Sequence, residues 1–317
     1  MLLSRLSVSM FSVGVICLSA GVAGGQEYPS KPIRIVTGSP GGGSDFNARE
    51  AARALGALGQ AVVVDNRSSI LVGEVGAKTP ADGYNLTVHG ASLWIGPMLQ
   101  KFNYQMSEFA PVGLISREVM MLAVHPSVPV KSTKEFIALA KARPGDFMYA
   151  TSTPGGPAML AIELMKSING IKMLIVPYKG TGQAITAVVA GESHTTIGDL
   201  GLIVPQAKSG RLRALAVTSV DTTALAPEMP TIASAGLPGY DVTGVTAIWS
   251  TAKTPPAILY KLNQELVRYL NRPDTKERFL SNVMEVVAST PEQLAARMSS
   301  DLTKWGKIFN DAGLKPQ

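Results

Sequence analysis

Short apolar runs alternate with amphipathic segments along most of the chain. Runs rich in β-branched residues predict strands, and apolar residues spaced three or four positions apart predict helices. The predicted strands cover residues 32–37, 61–64, 84–88, 147–150, 173–176 and 212–217. The predicted helices cover residues 47–58, 157–168, 181–190 and 255–270, and two more begin at residues 132 and 290. This alternation predicts an α/β fold with mainly parallel sheets and helices on both faces.

Two apolar stretches predict places where the chain passes between lobes. Residues 120–124 and 212–217 are apolar, and each is followed by a polar stretch that contains prolines. A chain of 317 residues is also longer than a single core usually supports. We therefore predict a discontinuous first lobe, residues 26–124 and 216–317, and an inserted second lobe, residues 125–215.

The first 25 residues are typical of a secretory signal peptide. Arg5 precedes an apolar stretch over residues 6–23, and small residues crowd the end of that stretch. Serine and glycine interrupt it, which favours a cleaved leader over a membrane anchor. We expect a protein that is exported to the periplasm and loses a signal peptide of residues 1–25.

Charge and cysteine content exclude several classes of function. The formal net charge of +6 is modest, and the dispersed lysines and arginines argue against a nucleic-acid partner. The single cysteine, Cys17, lies in the leader, so the mature chain offers no thiol nucleophile, disulfide or Cys–zinc site. The three histidines lack metal-ligand spacing. We expect neither a metal nor a cofactor.

Catalytic motifs are also scarce. The chain has no nucleophile elbow, no Walker A sequence and no dinucleotide-binding glycine pattern after a strand. We therefore do not expect an enzyme. One enzymatic alternative stays open, a periplasmic hydrolase or isomerase that uses His89 with Ser92 or Asp199, because catalytic groups assemble across a fold rather than along a sequence.

Four turns rich in glycine and hydroxyl residues follow predicted strands, at residues 37–45, 89–92, 151–157 and 197–199. Ligands of open α/β sheets bind at the carboxyl ends of strands. The first N–H groups of a helix lack internal partners and point outward with the positive end of the helix dipole. We interpret the turns as anion-binding, with ordinary turn chemistry as the alternative. In the fourth turn, Asp199 either contacts a ligand or caps the helix that follows it.

Eight short motifs occur in the order of a known protein family. They are Tyr28-Pro-Ser-Lys-Pro-Ile-Arg34, Pro40-Gly-Gly-Gly-Ser-Asp45, Val62-Val-Val-Asp-Asn-Arg67, Asp82-Gly-Tyr84, Val124-His-Pro-Ser127, Val176-Pro-Tyr-Lys-Gly180, Leu212-Arg-Ala-Leu-Ala-Val-Thr-Ser219 and Gly236-Leu-Pro-Gly-Tyr240. Together they span nearly the whole mature chain. The sequence therefore resembles the Bug-type solute-binding receptors of tripartite tricarboxylate transporters.

The resemblance implies a two-lobed periplasmic binding protein of the type II, Venus-flytrap class. Such a protein closes over a small organic carboxylate and presents it to membrane permease subunits, and we expect a monomer. The residues implied or proposed to bind the ligand are Ser39, Gly42, Gly43, Ser44, Asp45, Ala91, Ser92, Thr151, Ser152, Thr153, Gly156 and Asp199. An alternative without a permease is an extracytoplasmic sensor or interaction protein that docks on a membrane sensor.

Three departures from the family pattern fall around the expected pocket. Gly38-Ser39-Pro40 stands where the family has an aromatic residue followed by Ala-Pro. Residues 68–72 replace a Pro-Gly-Ala-Gly-Gly segment, and Met159 stands where a histidine is frequent. These departures predict a divergent ligand specificity, with a loss of ligand binding as the alternative.

Overall fold

The computed structural model describes residues 28–151, 156–178 and 180–311. Over these residues it has eleven strands: β1 (Ile33–Thr37), β2 (Val62–Asn66), β3 (Asn85–Gly90), β4 (Phe109–Glu118), β5 (Met120–Val124), β6 (Met148–Thr151), β7 (Leu174–Pro177), β8 (Thr195–Asp199), β9 (Arg213–Val217), β10 (Gly244–Thr251) and β11 (Glu285–Val286). Ten α-helices lie in the same part of the chain: α1 (Gly43–Gly56), α2 (Val72–Ala77), α3 (Ser92–Ile95), α4 (Thr133–Ala142), α5 (Pro157–Asn169), α6 (Thr181–Val189), α7 (Leu200–Lys208), α8 (Pro256–Leu270), α9 (Pro273–Ser281) and α10 (Pro291–Asp311). The predicted leader, residues 1–25, lies outside the described residues.

The elements predicted from the sequence are confirmed, with ends that differ by at most four residues. The largest difference is at α1, which begins at Gly43 rather than at residue 47. Gly42 precedes it in an extended conformation, with φ −87° and ψ 170°. The first turn of α1 therefore includes part of the glycine-rich sequence that we interpreted as a turn.

The strands form two sheets, and both sheets are mixed rather than mainly parallel. The first has the order β11-β4-β10-β3-β1-β2, and the second has the order β7-β6-β8-β5-β9. β1 pairs in parallel with β2 and β3, and β6 pairs in parallel with β7 and β8. β10 and β5 are antiparallel to both of their neighbours. These two strands follow passages of the chain between the sheets, where no crossover helix turns them parallel to their neighbours.

Two connections of unequal length join the two sheets: the connection from β4 to β5 is short, and the connection from β9 to β10 is long. β4 ends at Glu118 in the first sheet, and β5 begins at Met120 in the second, so Val119 alone separates them. The chain returns from β9 to β10 through residues 218–243. Both β5 and β9 belong to the second sheet. The lobe boundaries at residues 125 and 215 stay a prediction.

Each sheet has helices on both of its faces, as predicted. In β10, Ala247 and Trp249 face a core that includes residues of α3 and α10, whereas Ile248 faces a core that includes α1 and α8. In β5, Leu122 faces the first of these cores, and Ala123 faces a third core with α6 and α7. Successive residues of a strand point to opposite faces, so each apolar strand is buried from both sides. No helix in the described part of the chain is long and apolar enough to cross a membrane.

A buried asparagine joins α8 to the first sheet. Asn263 is 7% exposed, and its Nδ2 donates hydrogen bonds to the carbonyl oxygens of Val112, at 2.8 Å, and Ser289, at 2.7 Å. We predict that Asn263→Ala lowers the free energy of unfolding by roughly 1–3 kcal/mol, because it leaves buried carbonyl groups without this donor. Denaturant unfolding followed by circular dichroism measures the change.

Asn271, at the end of the same helix, provides the control. It is exposed, and its Nδ2 donates to the Val267 carbonyl oxygen at 3.0 Å. Asn271→Ala should change the free energy of unfolding by no more than roughly 0.5 kcal/mol. Equal losses in the two variants would contradict a special role for the buried amide.

Candidate functional site

A cavity of about 380 Å³ lies where residues of the two lobes face each other. This volume falls within the rough range of 300–1,000 Å³ that is typical of small-molecule sites. The lining comes from the turns after β1 and β3, from β4 and β10, and from α5 and α10. It includes Gly43, Ser44, Ser69, His89, Ala91, Ser92, Glu118, Gly156, Pro157, Leu160, Thr243, Gly244, Arg297, Asp301, Lys304 and Trp305.

The first turn of α1 contributes main-chain donors to this cavity. Gly43 and Ser44 begin the helix and line the cavity. The N-cap residue is Gly42, and no side chain caps the helix. The N–H groups of a first helical turn have no acceptor within the helix. This end of α1 therefore presents uncapped N–H groups and the positive end of a helix dipole to the cavity.

Asp45 holds the same turn in place. Its Oδ2 accepts a hydrogen bond from the Gly41 N–H at 2.9 Å, and its Oδ1 accepts one from Asn66 Nδ2 at 2.8 Å. Arg49 forms an ion pair with it at 3.0 Å. Burial acts to raise the pKa of Asp45, but these hydrogen bonds and the charge of Arg49 outweigh it, so the pKa is lowered. All the partners found for this carboxylate are therefore structural.

The first turn of α5 opens onto the cavity from the second lobe. Gly156 is its N-cap residue, with φ −70° and ψ 158°, and it provides no side-chain cap. Pro157 follows at the first helical position, where a residue without an N–H group is well tolerated. Both residues line the cavity. Two helices from different lobes thus begin at one cavity, each with glycine as its N-cap residue.

Glu118 lies beside both helix ends. A Cβ atom placed on Gly43 would be 2.7 Å from Glu118 Oε1. A Cβ atom placed on Gly244 would be 3.4 Å from Glu118 Oε2 and 3.6 Å from Pro157 Cγ. Glycine at these two positions therefore leaves the space that the Glu118 carboxylate occupies between the two lobes.

The charge of Glu118 is poorly stabilised by its surroundings. Burial and, as the smaller cause, the negative charge of Asp199 together raise the pKa of Glu118 to about 7. Asp199 lies opposite Met120 in the pairing of β5 with β8, two residues along from Glu118. The side chain of Asp199 is exposed at the surface. The protein around it nevertheless removes part of the water from its carboxylate, and this desolvation raises the pKa of Asp199. Within the described residues, no cation forms an ion pair with either carboxylate.

His89 and Ser92 form a polar pair in the wall of the cavity. Ser92 Oγ lies 3.2 Å from His89 Nδ1. Burial lowers the pKa of His89, against the smaller opposing effect of the Gly90 and Ser69 carbonyl groups, so the imidazole is neutral at pH 7. A serine next to an imidazole is one arrangement that activates a nucleophile. Here the further contacts of the imidazole are with main-chain carbonyl groups rather than with a carboxylate that orients a base.

The charged side chains of α10 that line the cavity have partners within the protein. Arg297 Nε donates to Asp301 Oδ1 at 3.0 Å, and Trp94 Nε1 donates to Asp301 Oδ2 at 3.1 Å. Lys304 Nζ donates to the Asp241 carbonyl oxygen at 2.7 Å, and burial lowers the pKa of Lys304. The charged groups on this side of the cavity therefore all have hydrogen-bond or ion-pair partners within the protein. In the described ranges, no group of three or more His, Cys, Asp or Glu residues is placed to hold a metal ion.

The structure brings only part of the predicted ligand-binding set to the cavity. Gly43, Ser44, Ala91, Ser92 and Gly156 line it. Ser39 and Gly42 are exposed beside it, and the carboxylate of Asp45 is turned to its loop partners. Thr151 is buried at the end of β6, and Asp199 precedes α7 without forming a side-chain cap. Ser152 and Thr153 lie outside the described residues, and ligand contact by all these residues stays a prediction.

Sequence reasoning missed the contributions of β4, β10 and α10 to the cavity. Residues 244–251 are buried along their whole length, so they lack the alternation of apolar and polar residues that marks a half-exposed strand. Glu118 gave one usable signal, since it is a charged residue just before the apolar run of residues 120–124. A charged residue beside an apolar run either marks the end of a strand or has a functional role.

The chain resembles known proteins over most of its length. A family model described as "Tripartite tricarboxylate transporter family receptor" matches residues 48–314. Among proteins of similar sequence, BugT of Bordetella pertussis (strain Tohama I) is 31% identical over 315 residues, which cover 96% of this chain and 97% of BugT.

Two solved structures extend the likeness to the fold. A protein of R. palustris solved with adipate has a TM-score of 0.79 and 29% identity, and the match covers 92% of this chain and 100% of that protein. The periplasmic binding protein BugD has a TM-score of 0.75 and 27% identity, with coverage of 92% and 100%. The likeness spans both sheets, and it confirms the predicted two-lobed periplasmic binding protein fold.

The raised pKa of Glu118 predicts a pH-dependent effect on stability. An unfolded glutamate has a pKa of about 4.5, and the folded protein raises it to about 7. The folded protein therefore binds more protons between these values, and this residue makes the fold less stable as the pH rises from about 5 to 8. We predict that Glu118→Gln raises the free energy of unfolding at pH 8 by about 1–3 kcal/mol, and that this gain disappears near pH 4.5.

Denaturant unfolding of both proteins at pH 5, 6, 7 and 8 measures this difference. Glu228→Gln is the control, because Glu228 is an exposed carboxylate outside the cavity lining. A stability difference between Glu118→Gln and the parent protein that stays constant with pH would contradict a raised pKa.

Proposed function

The chain belongs to the tripartite tricarboxylate transporter receptor family, and on that premise we propose that its cavity captures a small organic carboxylate by lobe closure. The predicted family membership is thereby confirmed. Members of this family are receptors rather than enzymes, and the R. palustris relative was solved with adipate. A carboxylate of similar size is the ligand class that we propose for this chain.

One observation supports the proposal most directly, which is that α1 and α5 begin at the same cavity with glycine N-caps. Glycine offers no side-chain acceptor to the N–H groups of the first turn. A ligand carboxylate between the two helix ends would accept hydrogen bonds chiefly from the first turn of α1, because α5 begins with Pro157, and it would lie at the positive ends of two dipoles. Ser44 and Ser92, which also line the cavity, would add hydroxyl donors.

The energies involved explain why both lobes are needed. A helix N-terminus contributes roughly 0.3–2 kcal/mol to binding of an anion, whereas a micromolar ligand requires about 8 kcal/mol. Two helix ends that act together, with apolar contacts such as Leu160 and exclusion of water, approach that total. A single helix end does not. Closure is then the shift of the protein population towards the state in which both helix ends contact the ligand.

Location and partners follow from the same proposal. The family includes the periplasmic binding protein BugD, and a leader of residues 1–25 cleaved on export would deliver this chain to the same compartment. A receptor of a tripartite transporter passes its ligand to membrane permease subunits, so we propose such a permease as the partner of this chain. We propose a monomer without a cofactor as the ligand-binding unit.

Calorimetric titration of the mature chain tests the ligand class. The panel contains succinate, glutarate, adipate, citrate, benzoate, aspartate and glutamate, with adipamide as the neutral analogue of adipate. We expect at least one carboxylate to bind with a Kd of about 10 μM or below, and the neutral diamide not to bind. If the diamide binds and every carboxylate fails, the proposal is wrong.

Two substitutions at Gly43 test the role of the main chain. Alanine and proline both place a Cβ atom beside Glu118, but only proline removes the N–H group. Proline is tolerated at the first helical position, and the extended conformation of Gly42 suits a residue that precedes proline. We predict that Gly43→Pro binds the best carboxylate at least tenfold more weakly than Gly43→Ala, because one charge-assisted hydrogen bond is lost, worth roughly 1.5–3 kcal/mol.

The same titration measures both Gly43 variants, and circular dichroism confirms that each one is folded. Equal affinities of the alanine and proline variants would mean that the Gly43 N–H group does not hold the ligand.

The contact of Ser92 with His89 is the observation that favours a hydrolase as the second candidate. We expect no turnover of p-nitrophenyl esters above the background rate. Turnover that His89→Ala abolishes would establish the enzymatic alternative instead.

A further inference from the structure

We propose that Glu118 determines the ligand class, and that it selects carboxylates that also carry an ammonium group over carboxylates without one. The preferred ligand would then be an amino acid, with its carboxylate at the helix ends and its ammonium group at Glu118. This inference rests on the proposed function, since it assumes a carboxylate ligand in the cavity.

The position of Glu118 places its charge inside the ligand space. Its carboxylate lies against Gly43 on one side and Gly244 on the other, and the residue lines the cavity. Gly43 is also the first residue of α1. A ligand carboxylate that is bound by the first turn of α1 therefore places its neighbouring atoms next to Glu118.

The protein supplies no balancing positive charge for this carboxylate in the ranges that the structure describes. Arg117, the preceding residue, pairs with Glu285 at 2.6 Å. Arg297 pairs with Asp301, and Lys304 donates to the Asp241 carbonyl oxygen. The charge that shifts the pKa of Glu118 is the negative charge of Asp199. An ammonium group of a ligand would supply the missing partner.

The chemistry of the cavity is thus of two kinds. The first-turn N–H groups of α1 and the positive dipole ends of α1 and α5 favour a negative group, and the carboxylate of Glu118, a few ångströms from Gly43, favours a positive one. A charge-assisted hydrogen bond between ammonium and carboxylate is stronger than a neutral one. A second ligand carboxylate next to Glu118 would be repelled by the negative charges of Glu118 and Asp199, unless Glu118 took up a proton. Such repulsion selects against ligands that carry a second carboxylate at this position.

Matched pairs of ligands test this selection. Each pair has one carbon skeleton with and without the amino group: L-aspartate and succinate, L-glutamate and glutarate, L-leucine and 4-methylpentanoate. Titration calorimetry of the mature protein at pH 8 keeps Glu118 largely ionised. We expect the amino acid of at least one pair to bind at least tenfold more tightly than its partner.

Three variants assign that preference to the charge of Glu118. In Glu118→Gln the preference should fall to less than threefold, chiefly through weaker binding of the amino acid. Glu118→Asp keeps the charge and should keep the direction of the preference, and it excludes the explanation that any change at this position disrupts the site. Glu228→Gln, an exposed carboxylate outside the cavity lining, should match the parent protein.

The outcomes separate this inference from the proposed function. If the parent protein binds the deaminated partners best and Glu118→Gln keeps that order, the role of Glu118 is rejected and carboxylate binding stands. A preference for amino acids that survives in Glu118→Gln also rejects the role of Glu118. If none of the six compounds binds, both this inference and the proposed function fail for these skeletons.

Discussion

Main-chain N–H groups that have no acceptor within their own helix are the constraint around which the cavity is organised. The same chain shows how such groups are satisfied elsewhere: at α4, Ser132 Oγ accepts a hydrogen bond from the Glu135 N–H at 3.2 Å. At α1 and α5 the corresponding positions are Gly42 and Gly156, and neither residue has a side chain that can cap its helix. Glycine at the N-cap makes a helix less stable than a capping serine by only a few tenths of a kcal/mol. Both of these helices begin at the cavity, where a ligand can provide an acceptor for first-turn N–H groups.

The charges around this cavity divide into those that hold the structure and one that does not. Asp45 is held by Gly41, Asn66 and Arg49, and Asp301 is held by Arg297 and Trp94. These carboxylates orient a loop and a helix, and their charges are compensated. Glu118 has no such partner among the described residues, and burial raises its pKa. A carboxylate that costs stability in a cavity lined by uncapped N–H groups is explained more readily by ligand recognition than by folding.

The fold could be predicted from the sequence wherever one face of an element is polar. α8 shows this, since Leu262, Leu266 and Leu270 are fully buried and lie on one side of the predicted helix. The mixed pairing of the sheets could not be predicted in this way, because β5 and β10 are buried on both faces and their direction depends on how the chain passes between lobes. The glycine turns of the site could be found from their composition. The place of Glu118 could not, because it depends on Gly244, which is 126 residues later in the chain.

The two parts of the cavity also differ in how they respond to lobe closure. Glu118 pairs with Gly244 in the first sheet, and Met120, two residues later, pairs with Asp199 in the second sheet. Glu118 therefore lies where the chain passes from one sheet to the other, whereas α1 and α5 lie on different sides of the cavity, so the proposed closure would move the helix ends more than it moves Glu118. A ligand shifts a conformational equilibrium only through contacts that differ between the two states. In the proposed closure the helix ends would supply that difference, whereas Glu118 would contact a ligand in both states, so the choice of ligand and the free energy of closing would come from separate groups.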